Sequence, residues 1–110
     1  MTTETRAERY RRARRDPELV VLEGFHALKH ALRFGAEPIE TVVVSPERVR
    51  RLCETLAPDL VERIASAITA TVRADELARL VPRPPATGVV AIARRRTVTA
   101  ADALAAPGPA

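Results

Sequence analysis

The sequence predicts an α/β protein: a three-layer α/β/α sandwich built on a small mixed sheet of about four strands. Short runs rich in valine and isoleucine alternate along the chain with segments whose apolar residues recur at helical spacing. The strand-like runs are apolar throughout rather than at every second position, which is typical of a sheet covered by helices on both faces. A chain of 110 residues has the usual size of one domain.

The first strand and helix are predicted on either side of Gly24. The run LVVLEG is short, rich in β-branched residues and closed by this glycine, as expected for a buried strand. Beyond it, Phe25, Leu28 and Leu32 fall at i, i+3 and i+7, which is the apolar stripe of a helix. Gly35 stands where a left-handed residue would end that helix.

The second strand is predicted at IETVVVS, and Ser45 and Pro46 then supply an N-cap and a first helical position. The apolar face of this helix consists of Val49, Leu52, Cys53 and Leu56. Pro58 ends it and starts a further short helix. The apolar face of that short helix consists of Val61, Ile64, Ala65 and Ile68.

The remaining elements are shorter. Residues 69–73 are predicted to form a strand, and Asp75 is predicted to cap a brief helix that runs through Leu80. The segment VPRPPATG is a proline-rich loop, and TGVVAIA is the last strand, with continuous apolar character.

The two ends of the chain differ from the middle. Residues 1–17 hold six arginines and almost no apolar residues, so we expect a basic N-terminal arm, solvated or a frayed helix, that contributes nothing to the core. Residues 18–93 are predicted to be the folded domain. Residues 94–110 lose the pattern and end in AAPGPA, as a linker-like tail would.

Composition narrows the classes of function. The formal charge is +4 and the excess is almost entirely arginine, whose planar fork suits phosphate, so we expect an anionic partner. The longest apolar runs are too short to cross a bilayer, and the N-terminus lacks the apolar core of a secretory signal, so we expect a cytoplasmic protein without membrane association. Cys53 is the sole cysteine, which excludes an internal disulfide and a thiolate-rich zinc site.

The segment EGFHALKHALRFG carries the main candidate site. His26, Lys29, His30 and Arg33 fall at i, i+3, i+4 and i+7, opposite the apolar stripe. The turn at Glu23 and Gly24 is expected to leave backbone N–H groups free at the helix N-terminus, where anions bind well. The pattern indicates a phosphate-contacting helix; the alternative is an ordinary solvated face. A metal site on the two histidines is disfavoured because no third ligand is evident.

Further basic clusters flank this helix. The arm supplies possible contacts to an RNA backbone through Arg9, Arg11, Arg12, Arg14 and Arg15. The alternative is a disordered solubilising tail. The cluster formed by Arg94, Arg95 and Arg96 is either a third contact or part of a linker.

Catalytic motifs are missing from the sequence. It has no glycine-rich phosphate loop and no nucleophile elbow, and Cys53 lies on an apolar helix face, which favours a core residue over a nucleophile. Glu23 has no partner acid or base in view, so a capping or hydrogen-bonding role is favoured over that of a general base.

The order of these pieces resembles a known family. VVLEGFHALKHALRFGAEPIETVVVS, then a helix, then TVRADELARLV, then GVVAIA, is similar to the substrate-binding domain that precedes the catalytic domain in SpoU/TrmH-type RNA 2′-O-ribose methyltransferases. The resemblance covers roughly residues 18–93 and rests on Glu23-Gly24 after an apolar strand, the spacing of the helix that follows, and the closing Gly88-Val89-Val90-Ala91.

The resemblance implies an RNA substrate-binding domain with a fold like that of kink-turn-binding ribosomal proteins, which presents structured rRNA or tRNA to a catalytic domain. It departs from the family at Ala86-Thr87, where many members have Pro-Gln, so an RNA contact by that glutamine is not carried over. The knotted domain that binds S-adenosylmethionine has no counterpart here, so we expect no cofactor in this chain and no catalysis by the chain alone.

Two alternatives to this function stay open. One is a protein-interaction or dimerisation module that does not bind RNA, because the family's enzymes are generally dimers. The other is a small autonomous enzyme that uses Glu23 and His26. A methyltransferase catalytic domain or a second copy of the chain is therefore a possible partner beside RNA.

Overall fold

The computed structural model describes residues 3–95. Of the predicted tail at residues 94–110, the part from residue 96 onward lies outside the described residues, whereas Arg94 belongs to the last strand and the Arg95 N–H bonds to the Glu18 carbonyl oxygen. The elements in chain order are α1 (Arg6–Arg15), β1 (Leu19–Glu23), α2 (Phe25–Arg33), β2 (Glu37–Val43), α3 (Pro46–Leu56), a 3₁₀ turn (Pro58–Leu60), α4 (Val61–Ala67), β3 (Ala70–Thr71), α5 (Ala74–Ala78) and β4 (Val89–Arg94). None of the helices in this part of the chain has the length and apolar character needed to cross a membrane.

The four strands form one mixed sheet, as predicted, and their order in the sheet is β1-β4-β2-β3. The last strand, β4, lies in the middle and is antiparallel to both β1 and β2, whereas β2 and β3 are parallel. Because β4 has a strand on each side and helices on each face, all its residues from Val89 to Ala93 are buried. This position explains why its sequence is apolar without alternation.

Two separate cores lie on the two faces of the sheet. On one face, α2, α3 and α4 pack on Val89, Ala91 and Ala93 of β4. On the other face, α1 and the region around α5 pack on Val90 and Ile92. Successive β4 residues thus serve opposite layers, and the protein is an α/β sandwich with three layers, in agreement with the predicted fold class.

The prediction that residues 1–17 contribute nothing to the core is wrong. Thr5 and Glu8 form a capping box that starts α1, and Tyr10 and Ala13 are fully buried. The Tyr10 hydroxyl lies 3.5 Å from the Val90 carbonyl oxygen, and burial raises the pKa of its phenol. A single aromatic side chain can bury enough surface to dock a helix whose other faces are arginine-rich.

Most predicted boundaries are confirmed, with three local differences. The Ser45 hydroxyl accepts a hydrogen bond from the backbone N–H of Arg48, as an N-cap does. Asp75, by contrast, lies inside the first turn of α5, and the cap position belongs to Arg73, which makes no side-chain cap bond. The strand predicted at residues 69–73 shortens to two residues. Strand β2 starts two residues earlier than predicted and carries an irregularity between Pro38 and Glu40.

Candidate nucleic-acid interface

The polar stripe of α2 faces away from the core, as the sequence predicts. Phe25, Leu28 and Leu32 are buried against the sheet and fix the rotation of the helix about its axis. The cationic residues of the stripe consequently point outward. His26, His30 and Arg33 are exposed, and Lys29 is half-exposed.

The members of this stripe differ in their partners. The Arg33 guanidinium lies 3.0 Å from an Asp59 carboxylate oxygen, and this hydrogen bond lowers the pKa of Asp59. Within residues 3–95, the side chains of His26, Lys29 and His30 have neither an ion pair nor a hydrogen bond. These three residues, here called the α2 stripe, are therefore free to contact a ligand, whereas Arg33 would first have to leave Asp59.

The N-terminus of α2 is less open than the sequence predicts. Gly24 has φ +106°, and its N–H donates to the Val89 carbonyl oxygen at 2.8 Å. The N–H of Phe25 donates to the Thr87 hydroxyl oxygen at 3.0 Å. The expectation of free backbone N–H groups is thus wrong for both residues, because the first residue of β4 and the loop before it supply their acceptors.

Glu23 and Arg14 meet beside this helix N-terminus. An Arg14 Nη2 atom donates to the Leu80 carbonyl oxygen at 2.7 Å and lies 3.8 Å from a Glu23 carboxylate oxygen. Glu23 therefore does not cap α2, and its nearest charged partner is an arginine of α1. The structure brings Arg14, Glu23, Gly24 and His26 to one end of the sheet, together with the loop before β4.

That loop carries a cation that the sequence reasoning passed over. Arg83 is exposed in the segment VPRPPATG. Pro85 and Thr87 of this segment lie beside Gly24, because a Cβ atom added to Gly24 would be within 3.5 Å of both residues. A basic residue in a proline-rich loop was the available signal. The loop's proximity to α2 depends on contacts between residues some 60 positions apart, which no local pattern contains.

Most of the other arginines of α1 form ion pairs with glutamates of this chain. Arg6 and Arg9 both hold Glu40 of β2 at 3.0 Å, and Arg12 holds Glu4 at 2.8 Å. The hydrogen bond to Glu40 raises the pKa of Arg9. Arg11 and Arg15 are exposed and have no such partner among residues 3–95.

The arm and the α2 stripe do not form one continuous surface. Helix α1 packs on the face of the sheet that contains Val90, whereas α2 packs on the face that contains Val89. They approach each other at the Arg14–Glu23 contact beside the end of β1. An RNA that touched Arg11, Arg15 and the α2 stripe together would have to wrap around that edge.

Cys53 is the one nucleophilic thiol of the chain, and it lies in the core. The Cys53 side chain is 1% exposed, its Sγ donates to the Ala57 carbonyl oxygen at 3.2 Å, and burial raises the pKa of the thiol. The prediction that Cys53 is a core residue is confirmed. Across the described residues, no group of three or more potential metal ligands lies together.

Comparison with known proteins gives no match: no protein-family model, no curated protein and no solved structure is similar to this chain at a significant level.

Proposed function

We propose that this chain is an RNA-binding module that recognises structured rRNA or tRNA for a SpoU/TrmH-type ribose methyltransferase. The observation that carries the proposal is the α2 stripe: His26 and His30 are exposed, Lys29 is half-exposed, and none of the three has an acidic partner among residues 3–95, on a helix anchored in the core. The link to methyltransferases is the resemblance in the order of sequence motifs across residues 18–93. Such a module works in the cytoplasm, where its RNA substrates are.

The anchoring of α2 makes it suitable for binding phosphate. Phe25, Leu28 and Leu32 are at most 3% exposed, so the backbone that presents the stripe cannot turn away. Residues at i, i+3 and i+4 are neighbours on a helix surface, which places three hydrogen-bond donors side by side. Contacts of this kind position an RNA backbone without reading its sequence.

The ligand inferred from this surface is folded RNA rather than an unpaired strand. Non-specific binding of single strands relies on aromatic side chains that stack on bases. This chain has two Phe, one Tyr and no Trp, and Tyr10 and Phe25 are buried. Of these, Phe34 alone is exposed, and its ring lies against His30 with 4.4 Å between centroids. Recognition by shape and phosphate contacts is the mode that these residues favour.

The surface extends from the α2 stripe toward Arg83 and Arg14. Arg83 belongs to the loop whose Pro85 and Thr87 lie beside Gly24, and Arg14 lies beside Glu23. In this proposal the methyl transfer and the binding of S-adenosylmethionine belong to a catalytic domain with which the module acts. The module itself contributes RNA affinity and orientation.

Replacing Lys29 by alanine is expected to weaken binding to structured RNA about tenfold and to reduce the slope of log affinity against log salt by about one. Lys29 carries the one permanent charge of the α2 stripe, and its removal deletes one phosphate contact and the release of its counterion. Filter-binding titrations against total tRNA and an rRNA fragment at several salt concentrations measure both quantities.

Arg51→Ala is the matched control, because Arg51 is exposed on α3 and has no acidic partner within the described part of the chain. The two variants change the net charge equally. If RNA bound through overall basicity alone, both variants would weaken it to the same extent, and the assignment of the α2 stripe would be wrong.

A further inference from the structure

Strand β1 forms one edge of the sheet, and no other strand of residues 3–95 pairs with its outer side. The N–H of Gly24 donates to the Val89 carbonyl oxygen, and the N–H of Arg95 donates to the Glu18 carbonyl oxygen. These two bonds show which residues of β1 direct their backbone N–H and C=O groups toward β4 and which direct them away from it. Even-numbered residues therefore face β4, and the backbone groups of Leu19, Val21 and Glu23 point outward. Among residues 3–95, no backbone hydrogen bond uses the outward groups of Val21 or Glu23, whereas the Leu19 N–H donates to the Asp16 carbonyl oxygen at 3.1 Å and is not open to a partner.

This edge lacks the features that usually protect an edge strand. The opposite edge, β3, is two residues long and so offers little to pair with. Strand β1 has five residues, LVVLE, without proline, lysine or a bulge. Leu19, Val20 and Val21 are each half-buried, so apolar surface accompanies the open backbone groups. An edge of this kind is a template for pairing with another strand.

The charges at the two ends of β1 complement each other in one arrangement. Arg95 extends its side chain to the start of the strand, where its Nε donates to the Leu19 carbonyl oxygen at 3.1 Å. Glu23 lies at the other end, where its side chain is 40% exposed and its carboxylate lies 3.8 Å from Arg14, so Arg95 of a second copy would be its second cationic partner. If two β1 strands pair antiparallel about Val21, Glu23 of each copy lies opposite Leu19 of the other copy. Glu23 is then beside the Arg95 side chain that bonds to this Leu19.

We propose that β1 pairs with β1 of a second copy of this chain, antiparallel about a two-fold axis at Val21, to form one continuous sheet through two protomers. The two Val21 residues exchange two backbone hydrogen bonds. The N–H of each Glu23 donates to the Leu19 carbonyl oxygen of the other copy, which still has a lone pair beside the Arg95 contact. The same contact forms twice, as a two-fold interface requires.

This inference does not rest on RNA binding, and its test contains no RNA. Sedimentation velocity over about a hundredfold range of protein concentration should show the mass rising from 12.0 kDa toward twice that value. Val21→Pro removes an outward N–H but no hydrogen bond to β4, so it should raise the dimer dissociation constant at least about tenfold. Val21→Thr keeps the N–H and the β-branched shape and should dimerise like the original chain.

A charge exchange tests the register without proline. Glu23→Arg alone and Arg95→Glu alone should each weaken the dimer, because each places like charges across the interface, and the double variant should restore it. These charge variants test the proposed pairing of β1 strands even if Val21→Pro fails to fold. A chain that stays monomeric at every concentration, a folded Val21→Pro variant that still dimerises, or a double variant without recovery would each overturn the proposal.

Discussion

Replacement of Tyr10 by alanine is expected to lower the free energy of unfolding by about 3–5 kcal/mol, which is the usual cost of deleting a buried aromatic ring. Tyr10 is fully buried between α1 and the sheet, in the core that contains Val42, Leu77 and Val90. The loss would be a large share of the stability of a small domain. Equilibrium urea denaturation followed by circular dichroism measures it.

Two further variants of α1 separate the effect of losing the buried ring from the effect of losing the hydroxyl and from the effect of a substitution on the exposed face of the helix. Tyr10→Phe keeps the ring and removes a hydroxyl that lies 3.5 Å from the Val90 carbonyl oxygen, so it should cost about 1 kcal/mol or less. Arg11→Ala alters an exposed position of α1 and should change the stability by about 0.5 kcal/mol at most. If Tyr10→Ala were as mild as Arg11→Ala, α1 would not be docked on the sheet as described.

Replacement of Gly24 by alanine is expected to cost about 1–3 kcal/mol, because Gly24 has φ +106° and ψ 164°, a region of backbone space that is essentially restricted to glycine. A Cβ atom there would lie 3.4 Å from the Pro85 Cβ and 3.5 Å from the Thr87 hydroxyl oxygen, which are ordinary contacts. The cost is therefore backbone strain rather than a clash. Urea denaturation measures the loss.

Thr87→Val provides the comparison for Gly24→Ala. It removes the acceptor of the Phe25 N–H and leaves the backbone of Gly24 unchanged, so we expect a loss of about 1 kcal/mol. Gly24→Ala should also weaken RNA binding, because it shifts the start of α2 away from the loop that carries Arg83. A cost for Gly24→Ala below that of Thr87→Val would contradict the strained turn.

The fold was largely predictable because its strongest signals are local. Phe25, Leu28 and Leu32 have helical spacing, and each is buried as that spacing requires. The continuous apolar character of β4 predicts burial on both faces, which its central position in the sheet provides. Ser45 and Pro46 mark the start of α3 by their own chemistry, whatever the rest of the chain does.

The role of α1 could not be predicted to the same degree. The capping pair Thr5 and Glu8 is visible in the sequence. The apolar stripe of α1, which consists of Ala7, Tyr10 and Ala13, has one large side chain among six arginines and does not by itself predict burial. Tyr10 is buried because it packs against residues that are far away in the sequence, such as Leu77 and Val90. The pairing of Arg6 and Arg9 with Glu40 likewise joins residues about 30 positions apart.

The residues of the candidate site could be chosen from the sequence, but their contacts with other elements of the fold could not. Helical spacing alone placed His26, Lys29 and His30 on one exposed face. It could not show that Arg33 is held by Asp59, or that Thr87 occupies the N–H of Phe25, because both contacts cross from one element to another. Long-range partners decide which cations of a basic stripe are available to a ligand.

The central claim, that the α2 stripe is the RNA surface, is tested most directly by a two-dimensional ¹⁵N–¹H NMR titration of the chain with transfer RNA at low salt. The claim predicts that the largest changes fall on the amides of His26, Lys29, His30 and Arg83, and that they reverse when salt is added. Changes confined to α1 around Arg11 and Arg15, or no change at any RNA concentration, would contradict it.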